Sequence, residues 1–219
     1  MYVDNVARPR TPTGRCKRTY EHLKEEYPDA VCELDYRNPY ELLAATILSA
    51  QATDVSVNKT TPNLFQRFPD PESLSVADVE EVETYINSIG LFRGKAKNLV
   101  GMAQRLVDHF DSHVPETMAD LISLPGVGRK TANVVRSVAL GLPGLPVDTH
   151  VGRLTRRLGI TDETDPVKVE LELNPMVAAM ERGDFSLRVI LHGRRVCFAR
   201  KPNCAECVLS YFCPVAFIA

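Results

Sequence analysis

Four cysteines near the end of the chain constrain its fold more than any other feature. They are Cys197, Cys204, Cys207 and Cys213, and their spacing is C-x6-C-x2-C-x5-C. In a chain expected to be cytoplasmic, where disulfides are rare, this density of thiols predicts a metal centre. The last segment must therefore fold so that four sulfur atoms surround one site.

Both zinc and an iron–sulfur cluster accept four cysteines. Zinc sites usually have two close pairs, whereas this tail has one C-x2-C pair with wider gaps on both sides. The spacing therefore favours a [4Fe-4S] cluster. Arg200 and Lys201 lie between the first two ligands, so a cluster that orders this loop would also present a phosphate-binding site. Cys16 and Cys32 lie far upstream and are predicted to be ordinary thiols.

Apolar residues repeat at helical spacing along most of the remaining chain, and no convincing strand alternation is present. We therefore predict an all-α fold. Ser75 and Asp78 are predicted to form a capping box at the start of an acidic helix. Helices are predicted at 38–48, 54–68, 75–88, 93–110, 117–124, 129–140, 149–158, 166–181 and 186–193.

The composition is that of a globular protein, with 44% hydrophobic and 25% charged residues in a chain of 219. This length allows one large domain or two small ones. No run of 18 apolar residues and no secretory leader is present, so we expect a cytoplasmic protein without a membrane span. Residues 1–14 are predicted to be a flexible tail, and the Gly/Pro-rich segment 141–146 a domain junction.

The net charge of −2 hides an uneven distribution of charge. Basic side chains are concentrated in residues 1–20, 128–157 and 185–205, and acidic ones in residues 69–90. If the basic segments share one face, they form a surface for a polyanion. Scattered, solvated charge explains the same pattern, because segments that are basic in sequence need not meet in space.

Residues 124–131 read Leu-Pro-Gly-Val-Gly-Arg-Lys-Thr and lie between two predicted helices. The proline ends the first helix, and the glycines allow backbone angles that other residues avoid. Free N–H groups at the start of the second helix attract a phosphate, whatever the base sequence. A turn without a ligand is the alternative, but the whole segment matches the helix-hairpin-helix phosphate-binding motif. The residues expected to contribute are Leu124, Gly126, Val127, Gly128, Arg129 and Thr131.

Lys130 follows Arg129 at the start of a predicted helix. Both the helix N-terminus and the neighbouring guanidinium disfavour the ammonium form, so we expect them to lower the pKa of the Lys130 amine. A neutral amine is a nucleophile that can form a Schiff base. Asp148 is predicted to cap a helix, and its carboxylate could also accept a proton and stabilise a cationic sugar. A solvated lysine and a purely structural cap are the alternatives.

The motifs occur in one order: LSAQATD at 48–54, LPGVGRKTA at 124–132, VDTH at 147–150, LHGR at 191–194, and then the cysteine tail. Over roughly residues 15–213 the chain therefore resembles the endonuclease III family of DNA glycosylases. The resemblance implies two helical domains that flank a DNA-binding cleft. One is a six-helix domain at 32–142, and the other a cluster domain made of 15–31 and 143–219.

The resemblance also implies a function and site residues. It implies a bifunctional enzyme that removes oxidised pyrimidines from duplex DNA and cuts abasic sites by β-elimination, with Lys130 as nucleophile and Asp148 as the essential acid. Gln51 would fill the gap left by the extruded nucleotide, and Leu91 would insert between bases. His150 is expected near the pocket, with a structural role equally open. The expected cofactor is a [4Fe-4S] cluster, the partner is damaged double-stranded DNA in the nucleoid, and the protein is expected to be a monomer.

Three other functions fit parts of the sequence. A monofunctional glycosylase would use water activated by the aspartate, but such enzymes lack the lysine found here at 130. A non-catalytic DNA-binding module would need the hairpin but neither Lys130 nor Asp148. An electron-transfer protein would need the cysteine tail but no DNA-binding pattern. Lys130 argues against the first, and the motifs taken together argue against the other two.

Overall fold

The computed structural model describes residues 8–218, and within this range it contains helices and no strand. The predicted all-α fold is therefore confirmed. The α-helices are α1 Pro12–Glu26, α2 Pro39–Leu48, α3 Asp54–Arg67, α4 Pro71–Ser75, α5 Val79–Ile86, α6 Phe92–Phe110, α7 Met118–Ser123, α8 Arg129–Val134, α9 Thr149–Arg157, α10 Pro166–Leu173 and α11 Arg182–Arg195. A π-helix, Val135–Ala139, continues α8, and a 3-10 helix, Ala179–Glu181, precedes α11.

The chain forms two compact units. The hairpin unit is one continuous stretch, Cys32–Gly144, and it contains α2 to α8. The terminal unit combines the part of the chain up to Val31 with the part from Leu145 onwards, and it contains α1 and α9 to α11. The change from one unit to the other falls within the segment 141–146.

The core of the hairpin unit surrounds α2. The side chain of Asn38 caps this helix by accepting a hydrogen bond from the backbone N–H of Glu41 at 2.9 Å, and Pro39 occupies the first helical position. Every residue from Tyr40 to Leu48 is buried, so α2 is surrounded on all sides, as expected of a central helix. The longer helix α6 contributes Leu99 and other apolar residues to the same core.

The core of the terminal unit joins the two ends of the chain. Leu23 of α1 packs in one cluster with Leu154 of α9 and with Phe185 of α11, which is completely buried. The Tyr20 hydroxyl of α1 donates to Asp184 Oδ2 of α11 at 2.6 Å. Residues 196–218, after α11, form turns without helix, and they carry the four tail cysteines.

The predicted acidic helix 75–88 is wrong in its bounds. Two short helices, α4 and α5, occupy this region, and α4 begins before the predicted start. The capping box is formed by Asp70 and Ser73 instead of Ser75 and Asp78. The reason is local: a proline directly after Asp70 begins a helix one turn earlier than the pattern indicated.

Two further boundaries differ from the prediction. The helix predicted at 166–181 ends two residues before Pro175, because proline has no N–H to continue the helical hydrogen bonds and its ring clashes with the preceding turn. Within the predicted tail 1–14, helix α1 already begins at Pro12, with Thr11 as its cap, and the first seven residues lie outside the described part of the chain. Of the helices in the described part, none has the length and apolar character needed to cross a membrane.

Candidate functional site

The turn between α7 and α8 has the shape that the hairpin motif requires. Leu124 and Val127 are buried at its two ends, with 2% and 7% of their surface exposed. Gly126 has a φ of +78°, and a Cβ placed on it would lie 2.8 Å from Asn98 Cβ on α6. Only glycine therefore fits this turn, for both its backbone angle and its close contact.

Lys130 lies in the first turn of α8 and its side chain is exposed. Gly128 begins this helix without a side-chain cap. Cys32 lies close enough to Lys130 for the charge of the lysine to affect its thiol. Burial raises the pKa of the Cys32 thiol, nearby Asp54 raises it further, and nearby Lys130 lowers it. Sequence reasoning assigned Cys32 and Asp54 no role beside Lys130, because they lie far upstream of it. Arg129 and Thr131, on either side of Lys130, are half-buried.

Gln51 and Leu91 share an unusual backbone conformation. Their φ angles are 55° and 60°, in the left-handed region that side chains with a Cβ rarely adopt. Both are exposed, and Leu91 has 66% of its surface accessible although it is a large apolar residue. Strain combined with exposure is typical of functional positions, so these residues are candidates on structural grounds as well.

Asp148 caps α9. Its Oδ1 accepts hydrogen bonds from the backbone N–H groups of His150 at 2.8 Å and Val151 at 2.9 Å. The His150 ring lies against α11, where a Cβ on Gly193 would come within 2.7 Å of His150 Nδ1. Arg153 Nη2 is 3.1 Å from the same nitrogen. The start of α9, which carries Asp148, is therefore held rigidly within the terminal unit.

The four tail cysteines line a single cavity together with Arg157 and His192. Within residues 8–218, no three His, Cys, Asp or Glu side chains are close enough together to hold one metal ion. Burial raises the pKa of Cys207 to about 11 and also raises the pKa of Cys213, so these groups remain thiols unless a cationic centre binds them. Four sulfur donors line one cavity, and a cationic centre would stabilise their thiolate forms. This arrangement fits a metal cluster.

Two side chains point hydrogen-bonding groups at these sulfur atoms. Arg157 Nη1 lies 3.3 Å from Cys197 Sγ and also donates to the Phe198 carbonyl at 2.7 Å. His192 Nε2 lies 3.3 Å from Cys207 Sγ. Burial lowers the pKa of His192 to about 4, so its ring is neutral at ordinary pH. Sequence reasoning missed both residues, although LHGR contains His192, because local spacing does not reveal what a helix packs against.

Arg200 and Lys201 are exposed on the loop between Cys197 and Cys204. The loop is closed by a backbone hydrogen bond from Asn203 N–H to Val196 O at 3.0 Å. Arg153 also holds its first residue, since Nη2 donates to the Cys197 carbonyl at 2.9 Å. In the terminal unit, Arg200 and Lys201 therefore lie on the same loop as the predicted cluster ligands Cys197 and Cys204. In the hairpin unit, Lys130 lies directly after the hairpin turn.

Comparisons with known proteins match these features. The model of the HhH-GPD superfamily of base excision DNA repair proteins matches residues 44–178, and that of the iron–sulfur binding domain of endonuclease III matches residues 197–213. The chain is 53% identical to endonuclease III of Synechocystis sp. over 195 residues, which is 89% of each protein.

Two solved structures are also similar. One is described as a non-covalent endonuclease III–DNA complex, and the other as a trapped endonuclease III–DNA covalent intermediate. Each is 41% identical to the chain, covers 92% of it and 95% of its own length, and superposes with a TM-score of 0.88.

Proposed function

Because the chain belongs to the HhH-GPD superfamily of base excision DNA repair proteins, we propose that Lys130 and Asp148 are its catalytic pair. The chain is a DNA glycosylase for oxidised pyrimidines with abasic-site lyase activity, as its endonuclease III relatives indicate. The observation that carries the assignment of Lys130 is its exposed side chain in the first turn of α8, directly after a turn that only glycine fits. A relative captured as a covalent DNA intermediate supports a covalent route.

Lys130 acts as the nucleophile. Its amine attacks C1′ of the damaged nucleotide, the bond between C1′ and the base breaks, and the base leaves with the electron pair. The amine then loses a proton and the sugar ring opens, which gives a Schiff base between Lys130 and C1′. Loss of a C2′ proton expels the 3′ phosphate by β-elimination, and water hydrolyses the Schiff base to free Lys130.

Asp148 stabilises positive charge and accepts the proton that the attacking amine must lose. Both of its cap bonds use Oδ1, so Oδ2 can serve the reaction while Oδ1 keeps the side chain in place. A carboxylate at a helix cap is well suited to this task because its rotamer is already fixed.

Further residues of each unit are proposed to contact DNA. The hairpin contacts the DNA sugar-phosphate backbone independently of base sequence. The residues that contribute are Leu124, Gly126, Val127, Gly128, Arg129 and Thr131. Leu91 inserts between bases, Gln51 occupies the space of the extruded nucleotide, and His150 lies near the pocket. Extrusion is required because C1′ of a stacked nucleotide is out of reach, and it costs roughly a few kcal/mol, less at a damaged base.

The iron–sulfur centre is inferred to be a [4Fe-4S] cluster held by Cys197, Cys204, Cys207 and Cys213. When bound, it orders the loop that presents Arg200 and Lys201 to a phosphate. We further infer a monomer that acts on duplex DNA in the nucleoid. Its six-helix domain is 32–142, and its cluster domain is 15–31 with 143–219.

Borohydride trapping tests the nucleophile. The holoprotein is mixed with duplexes that carry one thymine glycol, one abasic site or no damage, and covalent adducts are counted on a denaturing gel. We expect adducts with both damaged duplexes and none with undamaged DNA. Lys130→Ala should abolish trapping and strand cleavage while DNA binding is retained, and Lys97→Ala, an exposed lysine on α6, should change neither. Trapping by Lys130→Ala would refute the assignment. Wild-type protein that binds DNA but is never trapped would instead indicate a monofunctional glycosylase.

A second pair of variants separates the chemistry of Asp148 from its role as a cap. Asp165 caps α10 in the same unit with the same geometry, accepting from the N–H groups of Val167 and Lys168, each at 3.0 Å. Asparagine caps helices as well as aspartate, so neither Asp148→Asn nor Asp165→Asn should change stability by more than about 0.5 kcal/mol. Only Asp148→Asn should reduce base release, by at least about 100-fold. Equal activity in the two variants would contradict the assignment.

A further inference from the structure

A buried chain of hydrogen bonds connects α1 to the cysteine site. The Tyr27 hydroxyl at the end of α1 lies 3.0 Å from His192 Nδ1, and His192 Nε2 lies 3.3 Å from Cys207 Sγ. Tyr27 is 8% exposed and His192 is 1% exposed, so water does not compete for these contacts. The two rings meet edge to face, with centroids 5.9 Å apart, which fixes the orientation of the imidazole.

The order of these contacts determines where the imidazole proton lies. A neutral imidazole carries one N–H, and its other nitrogen can only accept. If the Tyr27 hydroxyl donates to Nδ1, the proton must be on Nε2, where it donates to the sulfur of Cys207. In the opposite tautomer a nitrogen lone pair would face a thiolate, which is repulsive. Of the two neutral tautomers, only the first makes both contacts attractive once Cys207 is a ligand.

We propose that Tyr27 is a positioning residue for the iron–sulfur centre: it holds His192 in the tautomer whose Nε2–H donates to the Cys207 thiolate. This inference rests on the proposed cluster ligands. A hydrogen bond to a ligand sulfur stabilises the more negatively charged, reduced cluster and so raises its reduction potential. It also draws electron density from the thiolate and so makes the cluster harder to oxidise and lose. The end of α1 therefore tunes a centre whose ligands lie about 180 residues further along the chain.

The molecule supplies a matched control. Tyr20 lies two turns earlier on α1, is 9% exposed, and also donates through its hydroxyl to a side chain of α11, Asp184 at 2.6 Å. Tyr20→Phe therefore removes the same group from the same pair of helices, but no contact to a cluster ligand is altered. Any effect of general loosening should appear in both variants, whereas an effect through His192 should appear only in Tyr27→Phe.

The experiment compares wild-type, Tyr27→Phe, Tyr20→Phe and His192→Phe holoproteins. Iron and sulfide are determined first, and the midpoint potential is then measured by a redox titration followed by EPR. We expect Tyr27→Phe to raise the oxidised-to-reduced ratio about threefold at a fixed potential and to speed bleaching of the cluster by a chelator in air. His192→Phe should shift both quantities further in the same direction, and Tyr20→Phe should leave the potential unchanged.

Several outcomes would overturn the inference. One is a Tyr27→Phe protein with the wild-type potential and bleaching rate, and another is an equal shift in Tyr27→Phe and Tyr20→Phe. Absence of iron from the wild-type protein would refute the proposed cluster and this inference with it. Because none of these readouts involves DNA cleavage, they leave the assignment of Lys130 to the trapping experiment.

Discussion

The hairpin unit and the terminal unit are held together in different ways. In the hairpin unit, the polar side-chain contacts of Tyr40 with Phe68 and of Arg37 with Glu41 join residues 28 and four positions apart. In the terminal unit, several such contacts join its two ends, and Tyr20 and Asp184 are separated by 164 positions. One unit is a continuous stretch around a buried helix, whereas the other must bring distant segments together. Helical periodicity can therefore specify the helices of both units, but it does not show which distant segments pack together in the terminal unit.

Closure of the terminal unit has an entropic cost that specific contacts must offset. Its last part, residues 196–218, has no helix, so the backbone there is held by side chains such as Arg153 and Arg157 and by whatever the four cysteines bind. The hairpin unit needs no such centre, because its helices cover one another. The two units should therefore respond differently to the same kind of perturbation.

Removal of the iron–sulfur centre should have the largest effect and should be confined to the terminal unit. A structural metal centre can contribute on the order of 10 kcal/mol to folding. After treatment with an oxidant and a chelator, amide exchange should increase strongly in 8–31 and 145–218 and remain slow in 32–144. Hydrogen exchange with mass spectrometry measures both regions in one sample, and equal loss of protection in the two would show that the units are not independent.

Deletion of one buried ring from each core should have the next largest effect. Phe185 of the terminal unit and Phe68 of the hairpin unit are both almost completely buried, at 0% and 1% exposure. Phe185→Ala and Phe68→Ala should each cost about 3–5 kcal/mol through lost burial and the cavity left behind. Local amide exchange should accelerate only in the unit that carries the substitution. If each substitution accelerated amide exchange equally in both units, the two units would not be independent.

Removal of a buried hydroxyl should cost more where it links distant segments. Tyr20→Phe removes the donor to Asp184 Oδ2, while Arg188 still donates to Oδ1, and should destabilise the terminal unit by about 1–2 kcal/mol. Thr46→Val removes a hydroxyl that donates to the Leu42 carbonyl within α2 at 2.7 Å, and it should cost less than about 0.5 kcal/mol because the helix backbone already uses that carbonyl. Urea unfolding of the two variants, monitored unit by unit, measures the loss of unfolding free energy in each. Equal losses would contradict the expected difference between the two hydroxyls.

Alkaline pH should produce the smallest difference. Burial raises the pKa of the Cys16 thiol in the terminal unit from 9.0 to about 12. Above pH 9 the unfolded thiol ionises while the folded one stays protonated, so stability is lost between pH 9 and about pH 12. From pH 8 to pH 9.5 this group should account for about 1 kcal/mol. Cys16→Ala should remove that part of the pH dependence, which denaturation at the two pH values measures; an unchanged pH dependence would show that Cys16 is not its source.

Much of the molecule could be predicted from local spacing. The caps Asn38 and Asp165, the long helix α6 and the turn at Gly126 follow from patterns three or four residues long, because helices and turns are closed by hydrogen bonds over that distance. The four cysteines indicate a metal centre because they, too, lie close together in the chain. Where the pattern failed, as at Asp70 and Pro175, a local proline had shifted a boundary.

Sequence patterns therefore predicted the all-helical class, the hairpin and the cysteine tail, and the family resemblance selected the candidate site residues. The family resemblance had already implied that residues 15–31 belong with the end of the chain. The contact of Tyr27 with His192 and that of Arg157 with Cys197 were seen only in the structure. The physical reason is distance along the chain. Periodicity shows that a face is apolar, but not which of several apolar faces will cover it. That choice depends on the packing and polar contacts of residues far apart in the chain, such as Arg15 and Phe212, which are separated by 197 positions.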